Sequence, residues 1–181
     1  MAKNCIIEKS VLRQRQIEDG FLELMQVKCY EDISITTLCR YLDLPYRTFF
    51  RYFEDKNDLL DSMLNHTFQD FAAMGAVNEG DFLRQFTFWY EKRNLLDALC
   101  KSNLQSKLYD YCVSYMNPAE AEQLLTAETK ELNALNEVCL FAASAFASLI
   151  IAWHADGFKK TPNQIAHIYY HMMTTPLFKP M

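Results

Sequence analysis

Apolar positions recur along this chain at helical spacing. Ile17, Phe21, Leu24 and Met25 fall at i, i+4, i+7 and i+8, one face of a helix over about Lys9–Lys28. Ile35, Leu38, Cys39 and Leu42 repeat the pattern over a shorter span, with Ser34 placed to cap a helix over Ile35–Leu42. Asp43 then stands where a tight turn needs a left-handed residue, which Asp tolerates better than most side chains. Pro45 opens a third helix over Tyr46–Phe53, since a first turn needs no N–H there. Asp55 and Asp58 are spaced to cap a fourth, over about 56–74.

The rest of the chain reads the same way. Gly75 and Asn78–Gly80 break the fourth helix. Phe82, Phe86, Trp89, Leu96 and Cys100 form one stripe on a single helix over Asp81–Cys100. A tyrosine-rich helix covers 103–116, and Asn117-Pro118 restarts the chain into a helix to about Thr129. A long helix over 130–156 ends at Gly157, with Lys159 and Lys160 beyond. Thr161-Pro162-Asn163-Gln164 offers a cap, a first-turn proline and the second half of a capping box for a last helix to about Thr174. No β-branched alternation appears. The expected fold is all-α, with about nine helices.

Two short helices joined by a tight turn, followed by Phe53-x-x-Lys56, have the layout of a helix-turn-helix. Tyr46, Arg47, Thr48 and Arg51 then lie along the exposed side of the second short helix. Their chemistry suits a major groove: arginine donors for guanine or phosphate, methyl and aromatic surface for thymine. Thr36 can reach an adjacent phosphate or base. Tyr52 and Lys56 would position the nucleic-acid backbone, with Lys56 beside the open N–H groups of a helix start.

Charge refines this picture. The chain of 181 residues carries a net charge of −5. Residues 1–60 hold nine Lys/Arg against ten Asp/Glu, so affinity for DNA must come from where the cations stand. Lys3, Lys9, Arg13 and Arg15 gather at the first helix's start, against its dipole, where an external anion would suit them. The six cysteines, at 5, 29, 39, 100, 112 and 139, have no C-x-x-C or metal-finger spacing and read as reduced thiols, with Cys112 and Cys139 the ones to weigh as redox sensors. Met1–Ser10 lacks the apolar run of a secretory signal. The uncharged stretch Val138–Trp153 is shorter than a membrane span and reads as a buried or interface helix. The expectation is a cytoplasmic protein with no membrane contact.

In this order of residues the chain resembles the tetracycline-repressor (TetR) family of bacterial one-component regulators. Leu24-Met25 before Tyr30, Ile35-x-x-Leu38-Cys39, and Leu44-Pro45-x-x-Thr48-Phe49-Phe50-x-Tyr52-Phe53-x-x-Lys56 carry the likeness. Trp153-x-x-x-Gly157-Phe158-x-x-x-Pro162 resembles a subset of the family whose last two helices pair with their copies in a dimer. Departures are informative. Cys29 and Asp43 replace usual glycines, Arg47 replaces a small residue, and Phe50 stands where many members place a phosphate-reaching tyrosine. The resemblance implies a DNA-binding domain over 1–56 and a helical effector-binding and dimerisation domain over 57–181.

For the body, Trp89, Tyr90, Tyr109, Cys112 and Tyr115 supply aromatic and polar-tipped surface suited to a mostly apolar ligand. His167 and His171 are four apart, but with no acidic or thiol neighbour in sequence they read as a polar helix face; no metal and no cofactor are expected. No nucleophile–base pair, phosphate loop or carboxylate constellation is present, so an enzyme is not expected. The function implied is a homodimeric transcription regulator, a repressor by family analogy, that binds a palindromic double-stranded operator and answers to an unknown small-molecule effector. The rival is a TetR-like coactivator that works through a protein partner without specific DNA binding.

Overall fold

A computed structural model describes residues 2–75, 78–116, 118–122, 130–131 and 133–174, with side chains from Ser10 onward except at 120 and 121. Among them every regular element is helical and no strand occurs. The chain forms two compact units, Met1–Thr67 with Asp97–Asn103, and Phe68–Leu96 with Leu104–Met181. The division expected at residue 56 coincides with the start of a helix, whereas compactness divides within that helix. Leu59, Leu60 and Leu64 are its reason: all three are buried.

The first unit begins with α1, Ala2–Val27. A 3-10 turn at Tyr30–Asp32 leads to α2, Ile35–Tyr41, and α3, Tyr46–Phe49. The first part of α4, Lys56–Ala72, completes it, together with the end of α6, Arg93–Lys101. The core gathers Ile17, Phe21, Leu24, Met25 and Leu38, residues of the predicted stripes, together with Phe49. Gly20 lets α1 meet α2 closely: a Cβ there would stand 2.2 Å from Leu42 Cδ2.

A polar seam ties α1 to α4. Glu18 is buried and accepts from Ser62 Oγ at 2.7 Å, with His66 Nδ1 at 2.9 Å. Gln14 Nε2 donates to Ser62 Oγ at 2.9 Å. Each buried carboxylate oxygen so partnered avoids the penalty of an unpaired polar group. Lys101 Nζ donates to Gln26 O at 3.0 Å, and Ser102 Oγ accepts the Tyr30 N–H at 2.9 Å, so the 97–103 segment is hydrogen-bonded into this unit.

The second unit contains the rest of α4, then α5, Glu79–Glu91, the start of α6, α7, Gln105–Ser114, and a single turn α8, Pro118–Ala121. The last elements are α9, Leu135–Ala155, and α10, Pro162–Thr174. α5 packs most extensively on α10, and α7 on α9. Phe86, Phe146, Trp153 and Tyr169 interlock edge to face at their centre.

Several boundaries differ from the sequence pattern. The helix expected over Asp81–Cys100 is two, because Lys92 closes α5 while its carbonyl accepts from Leu95 and Leu96 to start α6. No Gly or Pro marks the break. α5 starts two residues early, since Asn78 caps it and Asp81 returns the bond to the Asn78 N–H. α9 begins after Asn133, whose φ of 52° ends any helix there. The expected helix to Thr129 is seen as α8 only; residues 123–129 lie outside the described residues.

The stop and start signals near the end of the chain are present as read. Gly157 has φ 69°, and the Phe158 N–H reaches back to Trp153 O at 2.9 Å. Thr161 and Gln164 exchange the two bonds of a capping box, at 2.9 and 3.3 Å. α9, at 21 residues, is long and apolar enough to cross a membrane by length and composition, which the count over Val138–Trp153 understated. Ala142, Ala143, Phe146, Ala147, Ile150 and Trp153 on one side of it are buried in this unit. Leu140 and Phe141 are 55% and 61% exposed.

Candidate nucleic-acid interface and effector cavity

The helix-turn-helix is built from local bonds. Ser34 Oγ accepts the Thr37 N–H at 3.1 Å and so caps α2. Asp43 takes φ 47°, and the Leu44 N–H returns to Cys39 O at 2.8 Å, which turns the chain sharply. Pro45 holds extended backbone as the cap of α3, and the Thr48 N–H bonds its carbonyl at 2.7 Å. Phe49 is fully buried and anchors α3 to the core.

α3 is α-helical for one turn only. Arg51 N–H bonds Thr48 O and Tyr52 N–H bonds Phe49 O, so the expected helix tightens into i→i+3 turns before the Phe53 N–H closes on Phe49 O by an i→i+4 bond. The next helix takes over there: Asp55 Oδ1 accepts the Asp58 N–H and Asp58 Oδ2 accepts the Glu54 N–H, both at 2.8 Å.

Thr36, Tyr46, Arg47 and Arg51 are exposed, and Thr48 and Tyr52 are half-buried. Neither guanidinium of Arg47 and Arg51 pairs with another described residue. Each arginine directly follows one member of an aromatic pair that the sequence did not single out as a unit. Tyr46 and Phe50, 53% and 46% exposed, meet edge to face at 5.0 Å, and Phe50 rests against Phe49 at 5.3 Å. Lys56 is placed differently. Its Nζ donates to Tyr30 O at 2.7 Å and lies 4.1 Å from the Tyr30 ring centre. Tyr30 in turn donates to Asn57 Oδ1 at 2.6 Å. Burial, then the negative charge of Asp55, Glu31 and Asp61, pushes the Tyr30 hydroxyl up to about 12.

The second unit holds a cavity of about 50 Å³. Phe71 and Ala72 of α4, Phe82 and Gln85 of α5, Cys112 of α7, Tyr115 and Met116 just after it, Ala143 and Phe146 of α9, and Tyr169 of α10 line it. The wall is apolar and carries no charged side chain. Gln85 is buried and donates from Nε2 to Gly75 O. Tyr169 donates to Ala142 O at 3.1 Å. Burial pushes the Cys112 thiol up to about 12, so it stays protonated at neutral pH and is a poor nucleophile. Burial, and next the neighbouring Cys112, raises Tyr169 as well.

Of the five residues read from sequence as pocket walls, Cys112 and Tyr115 line this cavity. Trp89 is packed among Phe68, Phe71 and Phe88. Tyr90 stacks on Trp153 at 5.9 Å beneath the Arg93 guanidinium. Tyr109 Oη lies 3.1 Å from Ser148 Oγ. The walls missed come from elements far apart in sequence. One local signal existed: Gln85 is a polar residue on the buried stripe between Phe82 and Trp89.

A helix-turn-helix with unpaired arginines on its second helix, followed by an all-helical body, is the layout of a DNA-binding transcription regulator. Residues 79–175 match the family model TetR_C_8, the C-terminal region of transcriptional regulators. The chain belongs to the tetracycline-repressor family, and it is a transcription regulator, not an enzyme. It is 28% identical over 64 residues to the HTH-type dhaKLM operon transcriptional activator DhaS of Lactococcus lactis subsp. lactis (strain IL1403). That match spans 35% of this chain and 34% of the relative, about a third of its length. Among solved structures the chain is similar in fold to the dihydroxyacetone kinase operon activator DhaS, with a TM-score of 0.66 at 14% identity, over 90% of this chain and 94% of that one.

Proposed function

We propose that this regulator is a cytoplasmic homodimer that reads a palindromic operator and represses transcription until a small-molecule effector binds its body. The observation that carries the reading is the pair Arg47 and Arg51, exposed and unpaired beside Tyr46 and Phe50 on the helix of a well-formed turn. Thr36, Thr48 and Tyr52 would add backbone and base contacts from either side. Lys56, bonded to Tyr30, would serve DNA binding by fixing the head's shape more than by touching phosphate.

The effector would occupy the cavity beside Cys112 and Tyr115. Its wall of rings and its lack of charge favour a small, neutral, mostly apolar molecule. Phe71 and Ala72 in that wall belong to α4, the helix that also supplies Leu59, Leu60 and Leu64 to the head's core. A ligand that shifts α4 changes the spacing of two reading heads, which a dimer on DNA needs at about one helical turn, roughly 34–36 Å. Only differential affinity for the two states regulates.

A second reading has its own support. The head is near neutral, and Leu140 and Phe141 are exposed on α9, which suits a coactivator that binds a protein partner. Sequencing genomic fragments retained by the purified protein separates the two. A palindromic motif with half-sites one turn apart supports the regulator; random fragments support the coactivator. A reporter gene behind the recovered site then gives the sign of regulation, which the relative's name, an activator, sets against the repressor reading.

A further inference from the structure

The sequence places no acidic residue near His167 and His171, but the fold does. Glu79, at the start of α5, reaches α10 and puts Oε1 2.8 Å from His167 Nδ1. His171 stands one turn on, with its ring centre 4.3 Å from that of His167. His167, His171 and Glu79 are all exposed, so the group is open to solvent. A carboxylate on Nδ1 fixes the neutral imidazole as the Nδ1–H tautomer and leaves the Nε2 lone pair as its remaining donor atom. That is the arrangement by which a carboxylate orients a metal-binding histidine.

We propose that His167 and His171 form a binding site for a divalent transition metal of the zinc or nickel type, with Glu79 as the residue that orients His167. Two imidazoles at i, i+4 on one helix face can share an ion, and imidazole selects zinc, nickel and copper over magnesium or calcium. Among the described residues no third ligand side chain joins them, so water completes the coordination. The site is distinct from the reading helix and from the cavity, and it stands whether or not the chain binds DNA. An ion there strengthens the Glu79–His167 bond and clamps the start of α5 to α10.

The test uses the full chain, stripped with a chelator and titrated calorimetrically with nickel chloride, zinc chloride and magnesium chloride. The wild-type chain should bind nickel and zinc and ignore magnesium. His171→Ala and the more conservative His171→Asn, both at an exposed position, should weaken binding at least tenfold with an unchanged circular dichroism spectrum. Glu79→Gln should weaken it by about tenfold, the usual effect of losing an orienting partner. Nickel binding that survives both His171 variants within twofold, or that is absent from the wild-type chain, overturns the site. Glu79→Gln with unchanged affinity overturns the orienting role of Glu79.

Discussion

Lys56 donates from Nζ to the carbonyl oxygen of Tyr30 at 2.7 Å while lying over the same residue's ring. The closing lysine of the helix-turn-helix is therefore a strut between the start of α4 and the 3-10 turn after α1. A charge-assisted bond of this kind contributes about 1.5–3 kcal/mol, and the ring contact on the order of 0.5–1 kcal/mol more.

Lys56→Ala should accordingly destabilise the head by about 2–3 kcal/mol, read as a lower urea midpoint at constant slope. Because the ammonium is already engaged, the salt dependence of DNA binding should change by much less than the one unit lost with a phosphate-contacting lysine. A full unit of slope lost with stability unchanged would return Lys56 to the phosphate backbone.

Exposed aromatic edges beside two arginines suit thymine. Tyr46 and Phe50 should cover the C5-methyl group of a base in the operator. Replacing that thymine by deoxyuridine should then cost on the order of 1 kcal/mol, close to the transfer energy of one methyl group. The same replacement should cost nothing further in Phe50→Ala, which keeps the buried Phe49 anchor. An equal uracil penalty in both proteins, measured by fluorescence anisotropy, removes the contact.

The sequence shows clearly what is determined within a few residues. The Ser34 cap, the left-handed Asp43, the Gly157 stop and the Thr161–Gln164 box all follow from side chains next to the backbone they bond. What was not legible depends on chain that is distant or on signals that are silent. The break at Lys92 leaves the apolar stripe in phase on both sides, so periodicity carries straight through it. Gly20 reads as a helix weakener until Leu42 is seen packed against it. The cavity joins five segments from Phe71 to Tyr169, and a hydroxyl-tipped ring in one helix says nothing about which rings face it. Glu79 lies 88 residues from His167, beyond any local pattern.

Dimerisation should run through α9 and α10. Phe141 and Met172 are 61% and 44% exposed, and Ala145, Ser148 and Ala152 between them allow close backbone approach. Phe141→Glu should shift the sedimentation coefficient toward monomer at micromolar concentration. A wild-type chain that sediments as a stable monomer there would remove the dimer, and with it the spacing mechanism.

Ala72 forms part of the cavity rim and is itself exposed, so Ala72→Leu narrows the site with little effect on stability. It should weaken effector binding at least tenfold while leaving operator affinity in the absence of effector unchanged. By linkage, operator DNA must weaken effector binding in the wild-type chain by the factor that effector weakens operator binding. A ligand whose affinity is the same with and without operator is not the inducer.

Arg47, exposed and unpaired on α3, is the residue expected to read sequence most directly. Binding of wild-type and Arg47→Ala chains to the recovered operator, to operators changed at each base pair in turn, and to random DNA, all at one salt concentration, tests it directly. The expected result is a loss of about 1–3 kcal/mol on the operator, a small loss on random DNA, and indifference of the variant at one base pair per half-site. Equal losses on operator and random DNA, with every base preference intact, would contradict it.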